Sequence, residues 1–135
     1  MALGASQQGG FVTGGVLTAL RCEGLAVLLA SALGFHLIHG RWLLFAVLFL
    51  APDLSFAVYA ISRTAATAAY NAAHSYVLPV ALLLWGYHHT AALPYALIWT
   101  AHIGFDRALG YGLKYKTAFE HTHLGPIGKA KASDL

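Results

Sequence analysis

Asp53, His74, His102 and Asp106 each interrupt sequence that otherwise looks made for lipid. The runs WLLFAVLFLA, VLPVALLLWG and LPYALIWTAHIGF offer water almost nothing to hydrate. An Asp at the centre of a membrane helix costs about 2.5–3.5 kcal/mol on insertion scales, so such a residue usually faces a polar interior and has a partner. Any fold for this chain must bring these four side chains to partners while keeping the apolar runs intact.

Composition says where those runs belong. Only 10% of the 135 residues are charged and 59% are hydrophobic, with a mean hydropathy of +0.64. Soluble domains carry about 25% charged residues, enough to cover a water-facing surface. This length suits about four membrane helices of ~20 residues. The expected fold is all-α: an integral membrane bundle of four transmembrane helices over residues 21–112. A flexible extension over 1–20 precedes it and a cytoplasmic tail over 113–135 follows. The net charge of +3 is scattered without a dense basic run, which argues against a nucleic-acid partner. Cys22 is alone, which excludes an internal disulfide and a cysteine-based zinc finger. No Lys or Arg precedes Arg21, so a cleavable signal peptide, which needs a basic start, is not expected.

Four segments are expected. The first runs from Glu23 to His39 and ends at Gly40. The second, Trp42 to Ile61, is interrupted by Pro52, which frees the carbonyl four residues earlier and directly precedes Asp53. A turn at Ser62-Arg63-Thr64 leads to the third, Ala65 to Tyr87, kinked at Pro79. The fourth spans Ala91 to Leu109 and ends at Gly110 and Gly112. With four spans, seven of the eight basic residues share one side and Arg41 lies opposite. The positive-inside rule then puts both termini in the cytoplasm. The placement is a multi-pass protein of the bacterial inner membrane, with the lipid bilayer as its first partner. The small residues crowding the start of the third segment allow close packing and a possible homo-oligomer.

Numbering alone places the polar residues. Asp53 lies ten residues before Arg63 and His74 eleven after it, so in antiparallel helices both sit ~15 Å from the turn. His102 and Asp106, four apart, share a helix face in the same half. Two imidazoles and two carboxylates at one level suit a divalent metal: zinc first, with manganese or iron as alternatives. Asn71 and Ser75 are candidates to orient ligands or water in a catalytic role. Arg107, Tyr111 and Lys114 border the cytoplasmic mouth, where they could hold an anionic lipid headgroup or a phosphoester, and His123 is a possible additional ligand. Each residue also has a plainer reading. A histidine can be an interhelical strut, Asp106 can pair with Arg107, and a basic flank follows from orientation alone. His36, His39, His88, His89 and His121 suit interface or solvent.

Two segments add a resemblance. APDLS with YNAAHSYVLP, then ALIWTAHIGFDRALGYGLKY and THLGPIG, resemble the bacterial membrane family known as domain of unknown function 4260, from about Arg21 to Gly128. That resemblance implies a membrane architecture and carries no activity. The tail departs from it at KYKTAF, where a turn former is expected after the Tyr. More distantly, Pro52-Asp53, His74-Ser75 and His102-x-x-x-Asp106 are similar in order to bacterial inner-membrane metal-dependent hydrolases. Here Ser55 replaces the second Asp of that pattern, and the Arg after its first His is missing.

Four readings compete: a metal-dependent membrane hydrolase acting on a lipid or phosphoester, an ion or proton conductor, a haem protein using His74 and His102, and a scaffold glued by its polar residues. The carboxylates count against haem, which needs neither.

Overall fold

The computed structural model describes residues 10–116 and 120–127. Lys129 and Lys131 of the expected cytoplasmic tail, and residues 1–9 of the expected N-terminal extension, lie outside these residues.

The first helix, α1 (Gly14–Leu37), starts well before the expected Glu23. Residues 14–20 therefore belong to the helix and not to an extension. No charge interrupts GGVLTAL, so nothing stops the helical run from propagating backwards to Thr13, which has extended geometry. After a tight turn, in which His39 adopts φ 55°, comes α2 (Trp42–Leu48). It passes into a 3₁₀ segment, Ala51–Ala60, with Pro52 in its first turn. The second expected span thus changes helix type at the proline, where a missing N–H is easiest to accommodate.

The third expected span is two helices. The first is α3 (Arg63–Ala73), capped by the Ser62 hydroxyl, which accepts from Ala65 N at 3.3 Å. The second is α4 (Val77–Gly86). The break falls at His74-Ser75-Tyr76 and not at Pro79. Pro79 sits in the first turn of α4, where backbone N–H groups have no helical acceptor, so it costs nothing there. A short 3₁₀ turn, Thr90–Ala92, leads to α5 (Leu93–Leu109), which ends as expected at Gly110 in the left-handed region (φ 91°).

The core centres on α5. Nine of its seventeen residues are buried, against three of twenty-four in α1. α1 and α4 pack on α5, and α3 packs on the 3₁₀ segment. The α1–α5 contact is backbone against backbone. A Cβ on Gly104 would lie 2.7 Å from both Gly24 O and Leu28 N, and one on Gly24 would lie 2.8 Å from Gly104 O. Outward faces are apolar: Leu25, Leu29 and Leu33 make an exposed stripe along α1. Gly14–Leu37 and Trp42–Ala60 are each long and apolar enough to cross a membrane. The two other expected spans are shorter helices or contain the break.

The segment after α5 folds back over the helices. Lys114 bridges to Thr122, and β1 (His121–Thr122) pairs antiparallel with β2 (Gly125–Pro126). Val12 N donates to His123 O at 3.0 Å, joining this hairpin to the chain before α1. The described fold is therefore mostly helical with one small hairpin.

Gly104→Ala should lower stability by about 1–3 kcal/mol, the usual cost of overpacking a closed contact. Gly15→Ala, with open space at its Cβ, should be neutral or stabilising. Denaturation of both variants in detergent checks this, and equal stabilities would contradict the close α1–α5 contact.

Candidate metal centre

The break between α3 and α4 builds the centre. Ending α3 at Ala73 leaves carbonyls without helical partners in apolar surroundings, where each needs another donor. α5 supplies two. Trp99 Nε1 donates to Ala73 O at 2.6 Å, and Arg107 Nη2 donates to His74 O at 2.7 Å. His74 is thereby fixed at the end of α3, fully buried, its ring stacked on Tyr70 (centroids 3.9 Å apart, interplanar angle 16°).

Asp53 enters from the first turn of the 3₁₀ segment, and its backbone N–H is held by Leu50 O at 3.0 Å. His102 and Asp106 come from one face of α5. One ligand atom from each of these four residues lies within 4.8 Å of the others. His74 Nε2 is 3.1 Å from Asp53 Oδ1, 3.1 Å from His102 Nε2 and 3.5 Å from Asp106 Oδ2. His102 Nε2 is 3.4 Å from Asp53 Oδ1 and 3.5 Å from Asp106 Oδ2. Ligands ~2.0–2.1 Å from a tetrahedral ion are about 3.3–3.4 Å apart, so this cage has the right size for one. A buried Asp/His group of this kind could hold a metal ion. Both histidines and Asp106 are nearly inaccessible, whereas the Asp53 side chain is 37% exposed, so the centre opens on its Asp53 side.

Tautomers sharpen the chemistry. His74 Nδ1 is 2.9 Å from Tyr70 O, which can only accept, so Nδ1 carries the proton and the neutral ring presents a lone pair at Nε2. His102 Nδ1 is buried without a hydrogen bond among the described residues, and Nε2 is the nitrogen it turns to the cage. His102 Nε2 thus faces His74 Nε2 and both carboxylates. A ring N–H turned outward to a carbonyl with the lone pair turned inward, as at His74, is the usual support of a histidine metal ligand.

The remaining expected residues lie elsewhere. Asn71 is occupied by the segment after α5: it donates to Lys114 O at 2.8 Å and accepts from Lys114 N at 2.7 Å. Ser75 Oγ accepts from Val77 N at 3.3 Å at the start of α4. Arg107 is buried, and its Nη1 donates to Tyr111 O at 2.8 Å, so it braces the backbone and is not an exposed anion hook. Lys114 is also buried, its Nζ 4.8 Å over Tyr70 and 5.5 Å over Phe56. Burial pulls its pKa down to about 8, opposed by the nearby carboxylates of Asp106 and Glu120. Tyr111 is partly exposed. His123 stands apart from the cage, with Nδ1 accepting from Leu113 N at 2.9 Å. The open mouth expected from Arg107, Tyr111 and Lys114 is thus covered, because Asn71 and the hairpin draw the chain back over it.

Two residues were missed. Tyr70 stacks on His74 and its backbone carbonyl accepts a hydrogen bond from His74 Nδ1–H, and the i, i+4 spacing of Tyr70 and His74 was an available signal. Trp99 had none, because its partner is a carbonyl freed only by the unforeseen break.

Trp99→Phe keeps the ring and removes the donor to Ala73 O. It should cost about 1–3 kcal/mol, the penalty for an unmet buried carbonyl, read by denaturation in detergent. Unchanged stability would show that the break does not depend on this bond.

No curated protein and no solved structure matches the chain, so the likeness to metal-dependent hydrolases rests only on the residue pattern quoted above. Residues 17–127 match the family described as Domain of unknown function (DUF4260). That match runs from the first turn of α1 through the hairpin, and the chain belongs to this family.

Proposed function

We propose that this is a multi-pass inner-membrane protein whose helices hold one divalent metal ion between Asp53, His74, His102 and Asp106, used to hydrolyse an ester or phosphoester at the membrane surface. The observation that carries the metal is the convergence of two buried imidazole nitrogens and two carboxylates at one point. His74 Nε2 and His102 Nε2 lie 3.1 Å apart, flanked by Asp53 and Asp106. A divalent cation among them would neutralise the two carboxylates. Zinc suits the tetrahedral spacing and the mixed nitrogen and oxygen donors, and manganese or iron accepts the same donors.

When bound, the ion would supply Lewis acidity and a water acidic enough to act near neutral pH. The protein's own share is positional. His74 and His102 are held rigid by burial, while Asp53, at the open edge, is the ligand able to shift aside for a water or substrate oxygen. The charge of Lys114 near Asp106 favours an anionic group there.

Four spans with cytoplasmic termini are supported by the two long apolar segments, the exposed leucine stripe and the single-sided basic residues. Haem is disfavoured by the same 3.1 Å separation, because nitrogens on opposite sides of one metal at ~2 Å each stand about 4 Å apart. A proton relay is the remaining alternative, since the same nitrogens could share a proton.

The protein purified in detergent should contain about one zinc, manganese or iron per chain. Asp53→Ala, His74→Ala and His102→Ala should each weaken retention by roughly tenfold or more. No metal under any loading condition contradicts the centre, and proton flux into liposomes abolished by Asp53→Ala would favour the relay. Hydrolysis is tested separately with micellar carboxylic and phosphoric ester substrates: turnover should disappear with a chelator and return with metal. Stoichiometric metal with no turnover of either class would remove the hydrolase and leave the metal centre.

A further inference from the structure

Ser75 and Tyr76 of the α3–α4 break line a cavity of about 380 Å³ that includes none of the four metal-centre residues. Its inner wall holds Arg107, His123 and Tyr76, and Glu23 is also part of the lining. The polar groups of that inner wall are donors. Arg107 is 8% exposed and spends two N–H groups on backbone carbonyls, leaving further guanidinium donors. His123 Nδ1 accepts from Leu113 N, so the neutral ring carries its proton on Nε2. Burial lowers the His123 pKa, which keeps the ring neutral. Tyr76 Oη is buried and has no hydrogen-bond partner among the described residues. Donors gathered around a buried guanidinium ask for an oxyanion with several acceptor oxygens, which a phosphate supplies.

Glu23 changes what kind of phosphate fits. It is exposed, so it forms the rim, and its carboxylate would repel a simple dianion while welcoming a cation. Leu20, Val27 and Leu124 make the rest of the lining largely apolar. A phosphate inside, an ammonium at the rim and apolar walls between describe a single ligand class.

We propose that this cavity binds a phosphoethanolamine group, with phosphate oxygens on Arg107, His123 Nε2 and Tyr76 Oη and the primary ammonium on Glu23. This site is separate from the metal centre, and rests on the membrane reading only for the source of the ligand. Embedded beside apolar helices, that source is an aminophospholipid headgroup; in solution it is a soluble phosphoethanolamine ester. Arg107 joins the two sites structurally, because the same guanidinium holds the carbonyl of His74.

Native mass spectrometry of the detergent-purified chain tests the proposal, using phosphatidylethanolamine, phosphatidylcholine and phosphatidylglycerol with identical acyl chains. The ethanolamine lipid should be retained several-fold more than the other two, since choline cannot donate a hydrogen bond to Glu23 and glycerol has no cation. Glu23→Gln should abolish that preference. Tyr76→Phe should lower retention of all three lipids by roughly tenfold through the shared phosphate. Equal retention of the three lipids, or a preference that neither variant alters, overturns the proposal. Displacement of the lipid by glycerophosphoethanolamine would assign the soluble group as a sufficient ligand, and resistance to it would assign the membrane lipid. Metal content and thermal stability of both variants, measured in parallel, distinguish loss of this site from misfolding or from failure of the metal centre.

Discussion

The structure depends on how a broken helix is completed in apolar surroundings. α3 and α4 could have been one rod, as their apolar content allows. They are instead interrupted at His74, and the freed carbonyls of Ala73 and His74 are taken by Trp99 and Arg107 of α5. Those two bonds replace the hydrogen bonds that a continuous helix would have given these carbonyls. They also lock the break against the helix that carries His102 and Asp106. The interruption and the convergence of the four polar side chains are therefore one structural event.

The same logic explains why α5 is the most buried helix. It must pack closely on α1, which is why Gly24 and Gly104 meet backbone to backbone. A larger residue at either position would push α1 outward and loosen the helix that supplies half of the cage. Beyond the cage, the segment after α5 contributes Lys114, whose backbone is gripped by Asn71 and whose ammonium lies over Tyr70, the ring stacked on His74. Bracing thus reaches His74 from α5 and from the folded-back segment alike.

Much of the candidate centre was legible in the sequence because it rests on distances along helices. Equal spacing of Asp53 and His74 from Arg63 put them at one depth, and the i, i+4 pair joined His102 to Asp106. The end of α5 was legible too, because Gly110 can take a left-handed conformation that other residues avoid. What escaped depends on long-range partners. Pro79 was the visible helix breaker, yet the break came at His74, where side chains of α5 could satisfy the carbonyls. The start of α1 escaped because an uncharged run carries no stop signal. Asn71 looked like an active-site amide, but its donor and acceptor match a backbone N–H and C=O equally well, and Lys114 supplies both. The hairpin escaped because its pairing covers only two residues per strand.

X-ray absorption at the K-edge of the metal bound to the purified chain tests the central claim most directly. A first shell of nitrogen and oxygen at ~2.0–2.1 Å, with outer-shell scattering from two imidazoles and no sulfur, is the predicted result for zinc. A hydrated ion without imidazole scattering, or a sulfur contact at ~2.3 Å from Cys22, would contradict a site built by Asp53, His74, His102 and Asp106.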